Sequence, residues 1–216
     1  MKRKLLALAF ALVLALSLVA CGGGGGGGNG GGGSSDKFDY DNGGAYVASH
    51  LTGNYSITYR YTYDGDDYLD VTFTKTSAGY FYGLNDSGFL YIKNGDKFDT
   101  YWDLGDGFEK SDFFDPITEN EVMEKMLFFN WMWYYDDYSS DMKKDGTQTI
   151  AGRNCDKYTY QIAGWGVAYK QVVCIDKQTG VCLKWAFDMA SVQGSGSFSF
   201  ECTEFKTSGV TLPAYN

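Results

Sequence analysis

Short runs of alternating apolar and polar residues cover most of the chain after residue 54. Turn residues separate these runs, among them Asp64-Gly65 and Asn94-Gly95. Alternation with such breaks is typical of antiparallel strands joined by tight hairpins. The pattern therefore predicts strands near residues 55–63, 68–74, 80–84, 89–93, 98–102, 156–162, 167–175, 181–187 and 197–205.

The hydrophobic period changes between the two groups of strands. Asp115-Pro116 precedes Thr118 and Glu121, which have the spacing of a helix capping box, and apolar residues then recur at helical intervals. We expect a long helix near 116–135 and a short one over 45–51 that packs on the sheet. The order of meander, helix and meander predicts a mainly β fold, a strongly curved antiparallel sheet or incomplete barrel wrapped around a central mid-chain helix.

The first residues have the organisation of an export signal. Three cations at 2–4 precede an apolar run over 5–19 and the small residue Ala20. The stretch Leu18-Val19-Ala20-Cys21 resembles the lipobox of bacterial lipoproteins, which implies cleavage after Ala20 and a diacylglyceryl group on the Cys21 thiol. An uncleaved signal anchor with an incidental cysteine is the alternative.

Three parts of the chain follow from this leader. We expect a signal peptide at 1–20, the lipidated Cys21 with a Gly/Ser-rich flexible linker to residue 35, and a single β-rich domain at 36–216. The lipid would hold this domain at the outer face of the cytoplasmic membrane, or at an outer membrane if the host has one.

The charge balance excludes two classes of partner. The chain carries 18 Lys+Arg and 27 Asp+Glu. Three of the cations lie in the leader, so the mature part has a net charge of 15 − 27 = −12. Nucleic-acid binding needs clustered cations, and electrostatic adhesion to an anionic membrane needs them as well. Attachment to the membrane is therefore expected through the lipid.

Four further cysteines follow in the exported domain, at Cys155, Cys174, Cys182 and Cys202. Oxidising compartments permit disulfides, and hairpin turns near residues 164 and 192 would favour the pairs Cys155–Cys174 and Cys182–Cys202. The other two pairings remain open. A zinc site is the alternative, although the chain has no C-x-x-C spacing for it.

Residues suited to catalysis are scarce. His50 is the only histidine, and the carboxylate pairs Asp66-Asp67 and Asp136-Asp137 lie in predicted turns or at a helix end. The sequence therefore predicts no catalytic centre, no bound metal and no cofactor. An enzyme with an unrecognised site is a minor alternative.

Two stretches are similar to hairpins of LolA-like and LppX-like envelope proteins. They are Thr-Ile-Ala-Gly-Arg-Asn-Cys-Asp-Lys-Tyr at 149–158 and Val-Cys-Ile-Asp-Lys-Gln-Thr-Gly-Val-Cys-Leu-Lys at 173–184. The resemblance implies an incomplete, strongly curved antiparallel barrel closed by helices. It also implies that the protein carries or senses acyl chains.

We expect a membrane-anchored envelope lipoprotein that binds a hydrophobic ligand, a lipid or an acylated molecule, in a sheet-helix cavity. Met126, Phe129 and Trp133 of the predicted helix would line the cavity, although the same stripe can be plain core. The alternative is a surface-exposed structural or interaction lipoprotein that binds a protein or glycan partner through aromatic residues. The pattern leaves the oligomeric state open.

Overall fold

The computed structural model describes residues 50–85, 87–126, 142–164, 167–191 and 194–215, all within the compact unit Phe38–Asn216. The unit is mainly β, with eleven strands in one antiparallel sheet. The strands are β1 Tyr55–Tyr63, β2 Asp66–Thr76, β3 Gly79–Leu84, β4 Ser87–Asn94, β5 Lys97–Asp103, β6 Glu109–Lys110, β7 Lys143–Ile150, β8 Arg153–Gly164, β9 Val167–Asp176, β10 Cys182–Ser191 and β11 Gly194–Lys206.

All the strands predicted from alternation are present, most of them extended by one to four residues. The turns that join them use left-handed residues where the sequence predicts hairpins, including Gly65 and Gly95. Two strands were missed. The short β6 has two residues, and β7 has the sequence Lys-Lys-Asp-Gly-Thr-Gln-Thr-Ile, in which only the last side chain is apolar and buried. Neither provides the alternation that predicts a strand.

Pairing of β1 with β11 joins the two meanders into the order β6-β5-β4-β3-β2-β1-β11-β10-β9-β8-β7. The end strands β6 and β7 do not pair with each other, so the sheet is not a closed barrel. Its second half is nevertheless curved, because Cα atoms of β7 come within 8 Å of β11 across three intervening strands. The prediction of a mainly β, antiparallel sheet is confirmed, and the sheet remains open.

The predicted central helix is not supported. The helix α1 spans Glu119–Met126, three residues later than predicted at its start, and residues 127–135 of the predicted segment lie outside the described residues. The predicted capping box is present, since Glu121 N–H donates to Thr118 Oγ1 (3.4 Å) and Thr118 N–H donates to Glu121 Oε2 (2.7 Å). However, the helix follows Ile117, which is hydrogen-bonded to Phe98 of β5, and this connection places it beside the β3–β5 part of the sheet.

The two faces of β1 differ in chemistry. Alternate residues on one face make a ladder of polar pairs with β2 and β11: Ser56–Thr74, Thr58–Thr72, Arg60–Asp70 and Thr62–Ser199. The residues between them, Ile57, Tyr59 and Tyr61, belong to the opposite face, where Ile57 and Tyr59 are buried. The side chains of this opposite face define the candidate site.

Candidate ligand-binding face

Aromatic side chains form a continuous row across five neighbouring strands. Tyr61 of β1 stacks on Phe200 of β11 with ring centroids 4.7 Å apart, and Phe187 of β10 contacts Tyr169 of β9 at 4.4 Å. The connecting ring pairs are Trp185–Phe200 at 6.4 Å, Trp185–Phe198 at 4.7 Å, Phe187–Phe198 at 5.0 Å and Tyr160–Tyr169 at 5.8 Å. We call these seven residues the aromatic row: Tyr61, Tyr160, Tyr169, Trp185, Phe187, Phe198 and Phe200.

The strand period produces this row directly. Residues two apart share a face of a strand, so Trp185 and Phe187 emerge together from β10 and Phe198 and Phe200 from β11. Register then places Trp185 opposite Phe200 and Phe187 opposite Phe198. Five strands about 4.8 Å apart give the row a length of about 19 Å.

Every member of the aromatic row is partly exposed. The row is nevertheless anchored, because Trp185 also packs against a buried cluster formed by Val173, Ile175 and Cys182. Trp185 is therefore held at one end by its contact with this cluster, and each ring of the row remains partly exposed. Such a surface is suited to binding an apolar molecule without rearrangement of the sheet.

Two polar side chains and one indole N–H lie within or beside the row. The Tyr169 hydroxyl donates to Gln171 Oε1 at 3.0 Å, and Gln171 is buried opposite Phe187. The indole N–H of Trp185 is buried and finds no acceptor among the described residues. These groups can orient a polar part of a ligand, but they supply no charge to it.

The predicted site residues are only partly covered by the structure. Cys21, Phe129 and Trp133 lie outside the described residues, so neither the lipidation nor the helical lining is tested. Met126 is the last residue of α1. The aromatic row contains none of the predicted ligand-binding residues. Its signal was present in the sequence as aromatic pairs two residues apart, such as Trp185 and Phe187, but the shared face depends on register.

The four described cysteines form no disulfide and are buried free thiols, so the two favoured pairs are unsupported. The predicted register was two residues off in one hairpin, because Cys174 lies opposite Lys157 while Cys155 lies opposite Asp176. In the other, Lys184 lies opposite Glu201, which is one residue off the register that the pair Cys182–Cys202 requires. Burial raises the pKa of Cys174 to about 11 and the pKa values of Cys155 and Cys202 to about 12, so all three are protonated at neutral pH.

An ion pair links the two hairpins that carry the family resemblance. Arg153 Nη2 lies 2.6 Å from Asp176 Oδ2, and Asp176 is almost fully buried. The same carboxylate accepts the Thr179 N–H at 3.0 Å and the Thr179 hydroxyl, which fastens the β9–β10 turn. The Arg153 guanidinium also lies 4.2 Å from the centre of the Phe205 ring of β11. This network stabilises the curved end of the sheet beside the row.

A cleft of about 580 Å³, lined by both polar and apolar residues, lies at the turn end of the same strands. Its walls include Gln161, Lys170 and Asp188, which alternate with members of the aromatic row along β8, β9 and β10. Strand alternation therefore places these polar side chains on the face opposite the row. Tyr169 of the row and its partner Met189 on β10 also line the cleft, so the cleft and the row adjoin at this end of the sheet.

Metal binding and membrane crossing find no support in the part of the chain that is described. No three His, Cys, Asp or Glu side chains there are grouped to hold a metal ion. None of the helices found within those ranges has the length and apolar character needed to cross a membrane.

Comparison with known proteins gives only weak similarities. No protein family matches the sequence, and no curated protein is similar to it. Among solved structures, MucB in the Pseudomonas aeruginosa MucA/MucB complex has 15% identity and a TM-score of 0.40, with 82% of this chain and 59% of the other covered. This chain thus spans less than two thirds of the length of MucB.

Two other similar structures are an LppX lipoprotein and a lipoprotein-sorting domain. The Mycobacterium tuberculosis lipoprotein LppX has 13% identity and a TM-score of 0.38, with 79% of this chain and 96% of LppX covered. An outer membrane lipoprotein-sorting protein domain from Vibrio parahaemolyticus has 12% identity and a TM-score of 0.24, with coverages of 80% and 95%. Similarity at this level establishes neither a shared fold nor a shared function.

Proposed function

We propose that this protein is a membrane-anchored envelope lipoprotein that binds a hydrophobic ligand, a lipid or an acylated molecule, on the aromatic row. The observation that carries the proposal is the row itself, with seven partly exposed rings in contact across five strands. Isolated exposed aromatic residues are common on protein surfaces, whereas a contiguous apolar patch usually marks a binding surface.

The energy available on this face is adequate for specific binding. Apolar surface removed from water contributes about 25 cal/mol per Å², so a ligand that covers about 300 Å² of the row gains about 7.5 kcal/mol before the cost of association. Because the rings already pack on one another, and Trp185 also packs on the buried cluster around Val173, little of this gain is lost in ordering the protein.

The chemistry of the row favours a flexible apolar chain. None of its members is charged, and its length of about 19 Å suits an extended acyl chain. The Tyr169 hydroxyl and the buried Gln171 at one side can orient an ester or amide of the ligand. Anchoring at Cys21 would keep this surface near a membrane, where acylated molecules occur. Binding without catalysis is the proposed activity.

Native mass spectrometry of residues 36–216, purified from the host envelope without detergent, tests the proposal. We expect a stoichiometric apolar ligand that organic extraction releases and identifies. The double variant Phe187→Ser/Phe198→Ser should lose it, whereas Leu104→Ser, which removes an exposed apolar side chain outside the row, should retain it.

A different set of results would contradict the proposal. A ligand-free mass that persists after addition of phospholipids and fatty acids would exclude apolar ligand binding by the row. If the same rings instead bound oligosaccharides, stacking of sugar rings on Tyr and Trp would be the better account, and the interaction lipoprotein would replace the lipid-binding one.

A further inference from the structure

A second apolar surface lies in the connection between β5 and α1. Phe113 is 83% exposed and Phe114 is 50% exposed, and neither belongs to the aromatic row. Full burial of a Phe side chain is worth about 1.5–3 kcal/mol relative to exposure, so two adjacent exposed rings are costly unless another molecule covers them. We call residues 112–115 the Phe113 loop.

The Phe113 loop is held by specific hydrogen bonds. Ser111 N–H donates to Thr100 O at 2.9 Å, and the Ser111 hydroxyl accepts the Phe113 N–H at 3.2 Å. After the loop, Ile117 exchanges two backbone hydrogen bonds with Phe98 of β5, at 2.8 and 3.0 Å. The Phe113 ring also meets the Trp102 ring edge-on at 6.1 Å. The rings are thus presented by an ordered turn, which lowers the entropic cost of binding.

Exposed carboxylates outnumber cations along the chain around these rings. Asp112 and Asp115 are exposed on either side of the Phe pair, and Asp106 and Glu109 are exposed just before them. Lys110 is the only cation between residues 103 and 118, and its ammonium group lies 2.7 Å from Asp99. The loop therefore presents apolar rings within a field of carboxylates.

This charge selects among the molecules that could cover the rings. An anionic membrane surface is repelled by the carboxylates. A second copy of this chain, whose formal net charge is −9, would bring the same sign of charge to the contact. A segment with apolar residues on one side and Lys or Arg on the other complements both features, because like charges oppose association and opposite charges steer it.

We propose that the Phe113 loop is a docking surface for a basic amphipathic segment of a partner protein. Apolar side chains of the partner cover Phe113 and Phe114, and its Lys or Arg side chains meet Asp112 and Asp115. The Phe113 loop shares no residue with the aromatic row, so peptide docking on the loop and ligand binding on the row are tested separately.

The test uses the full chain in nanodiscs of zwitterionic phosphatidylcholine and a labelled fifteen-residue probe peptide. The peptide has Leu at helical spacing and Lys at its other positions, and a companion peptide has Glu in place of each Lys. Fluorescence anisotropy should show binding of the Lys peptide above that of empty nanodiscs. It should also show weaker binding as salt rises, and at least tenfold weaker binding of the Glu peptide.

Matched variants locate the binding. We expect Phe113→Ser/Phe114→Ser and Asp112→Asn/Asp115→Asn each to weaken binding of the Lys peptide at least tenfold. Tyr63→Ser, at a position 53% exposed on β1, and Asp66→Asn/Asp96→Asn, which removes the same charge from two exposed positions, should bind as the wild type does. Wild-type binding no stronger than that of empty nanodiscs, or equal losses in the control variants, would overturn the proposal.

Discussion

The two halves of the sheet use aromatic residues in different ways. In the β3–β5 half, Tyr80 and Phe98 are buried on one face with ring centroids 5.4 Å apart. On the other face, Phe81 meets the buried Phe108 at 5.8 Å, and Tyr101 meets Tyr215 near the chain end at 5.1 Å. In the β8–β11 half, the aromatic row stays partly exposed. Among the described residues, aromatic side chains of similar strands are thus buried in one half of the sheet and partly exposed in the other.

The half that carries the row is stabilised by ionic contacts at its curved end. Asp176→Ala should therefore give the largest loss of stability, about 3–5 kcal/mol, because it leaves the partly buried Arg153 without its carboxylate and frees the Thr179 turn. Urea unfolding measures this change. Substitution of exposed Asp188 by Ala is the control and should change stability by less than about 0.5 kcal/mol. A loss below about 1 kcal/mol for Asp176→Ala would show that the network is dispensable.

A pair of truncations compares the halves directly. Leu90→Ala on β4 removes a fully buried side chain and should cost about 2–5 kcal/mol in the free energy of unfolding. Phe187→Ala in the row removes a partly exposed ring and should cost less than about 2 kcal/mol. Equal losses at the two positions would mean that the row is core, and would remove the basis for ligand binding there.

The capping box at the start of α1 gives a smaller effect confined to the β3–β5 half. Thr118→Ala removes the acceptor for the Glu121 N–H and should lower stability by about 0.5–2 kcal/mol. Thr118→Ser keeps a hydroxyl and should retain most of the wild-type stability. Ligand binding on the row should be unaffected in both variants, and a change in it would link α1 to the site.

Loss of folding stability at low pH should be modest, and the Asp99–Lys110 pair that contributes to it lies in the β3–β5 half. The hydrogen bond from Lys110 lowers the pKa of Asp99 below 3.8, with Asn94 contributing in the same direction. A lowered pKa in the folded state gives stability that is present above pH 3.8 and is lost as the pH falls through the folded value. Asp99→Asn should therefore show a smaller drop in urea midpoint between pH 5 and pH 2.5 than the wild type. An unchanged drop would show that this pair does not contribute.

Local features of the chain were predictable and long-range ones were not. Hairpins such as that at Gly95 follow from turn chemistry, and the Thr118 capping box from three-residue spacing, because both are decided by neighbouring residues. The favoured cysteine pairs are unsupported, because the registers of their two hairpins differ by two residues and by one residue from those the pairs require. A slip of this size changes the partner of every residue in a strand.

The candidate site was missed for a related reason. The aromatic row needs the pairing of β1 with β11, which joins strands more than 130 residues apart in the chain, so Tyr61 and Phe200 cannot be associated from local pattern. The exposure of Phe113 was equally hidden, since apolar composition favours burial and only the fold shows which side chains are left outside.

The most direct test of ligand binding on the row is quenching of tryptophan emission by a brominated fatty acid. Two variants of residues 36–216 each keep one tryptophan, Trp185 in the row or Trp102 on β5, with the other four replaced by Phe. Circular dichroism checks that each is folded. We predict that the emission of Trp185 falls saturably with added acid and that the emission of Trp102 does not. Unquenched Trp185 in a folded protein would contradict the account.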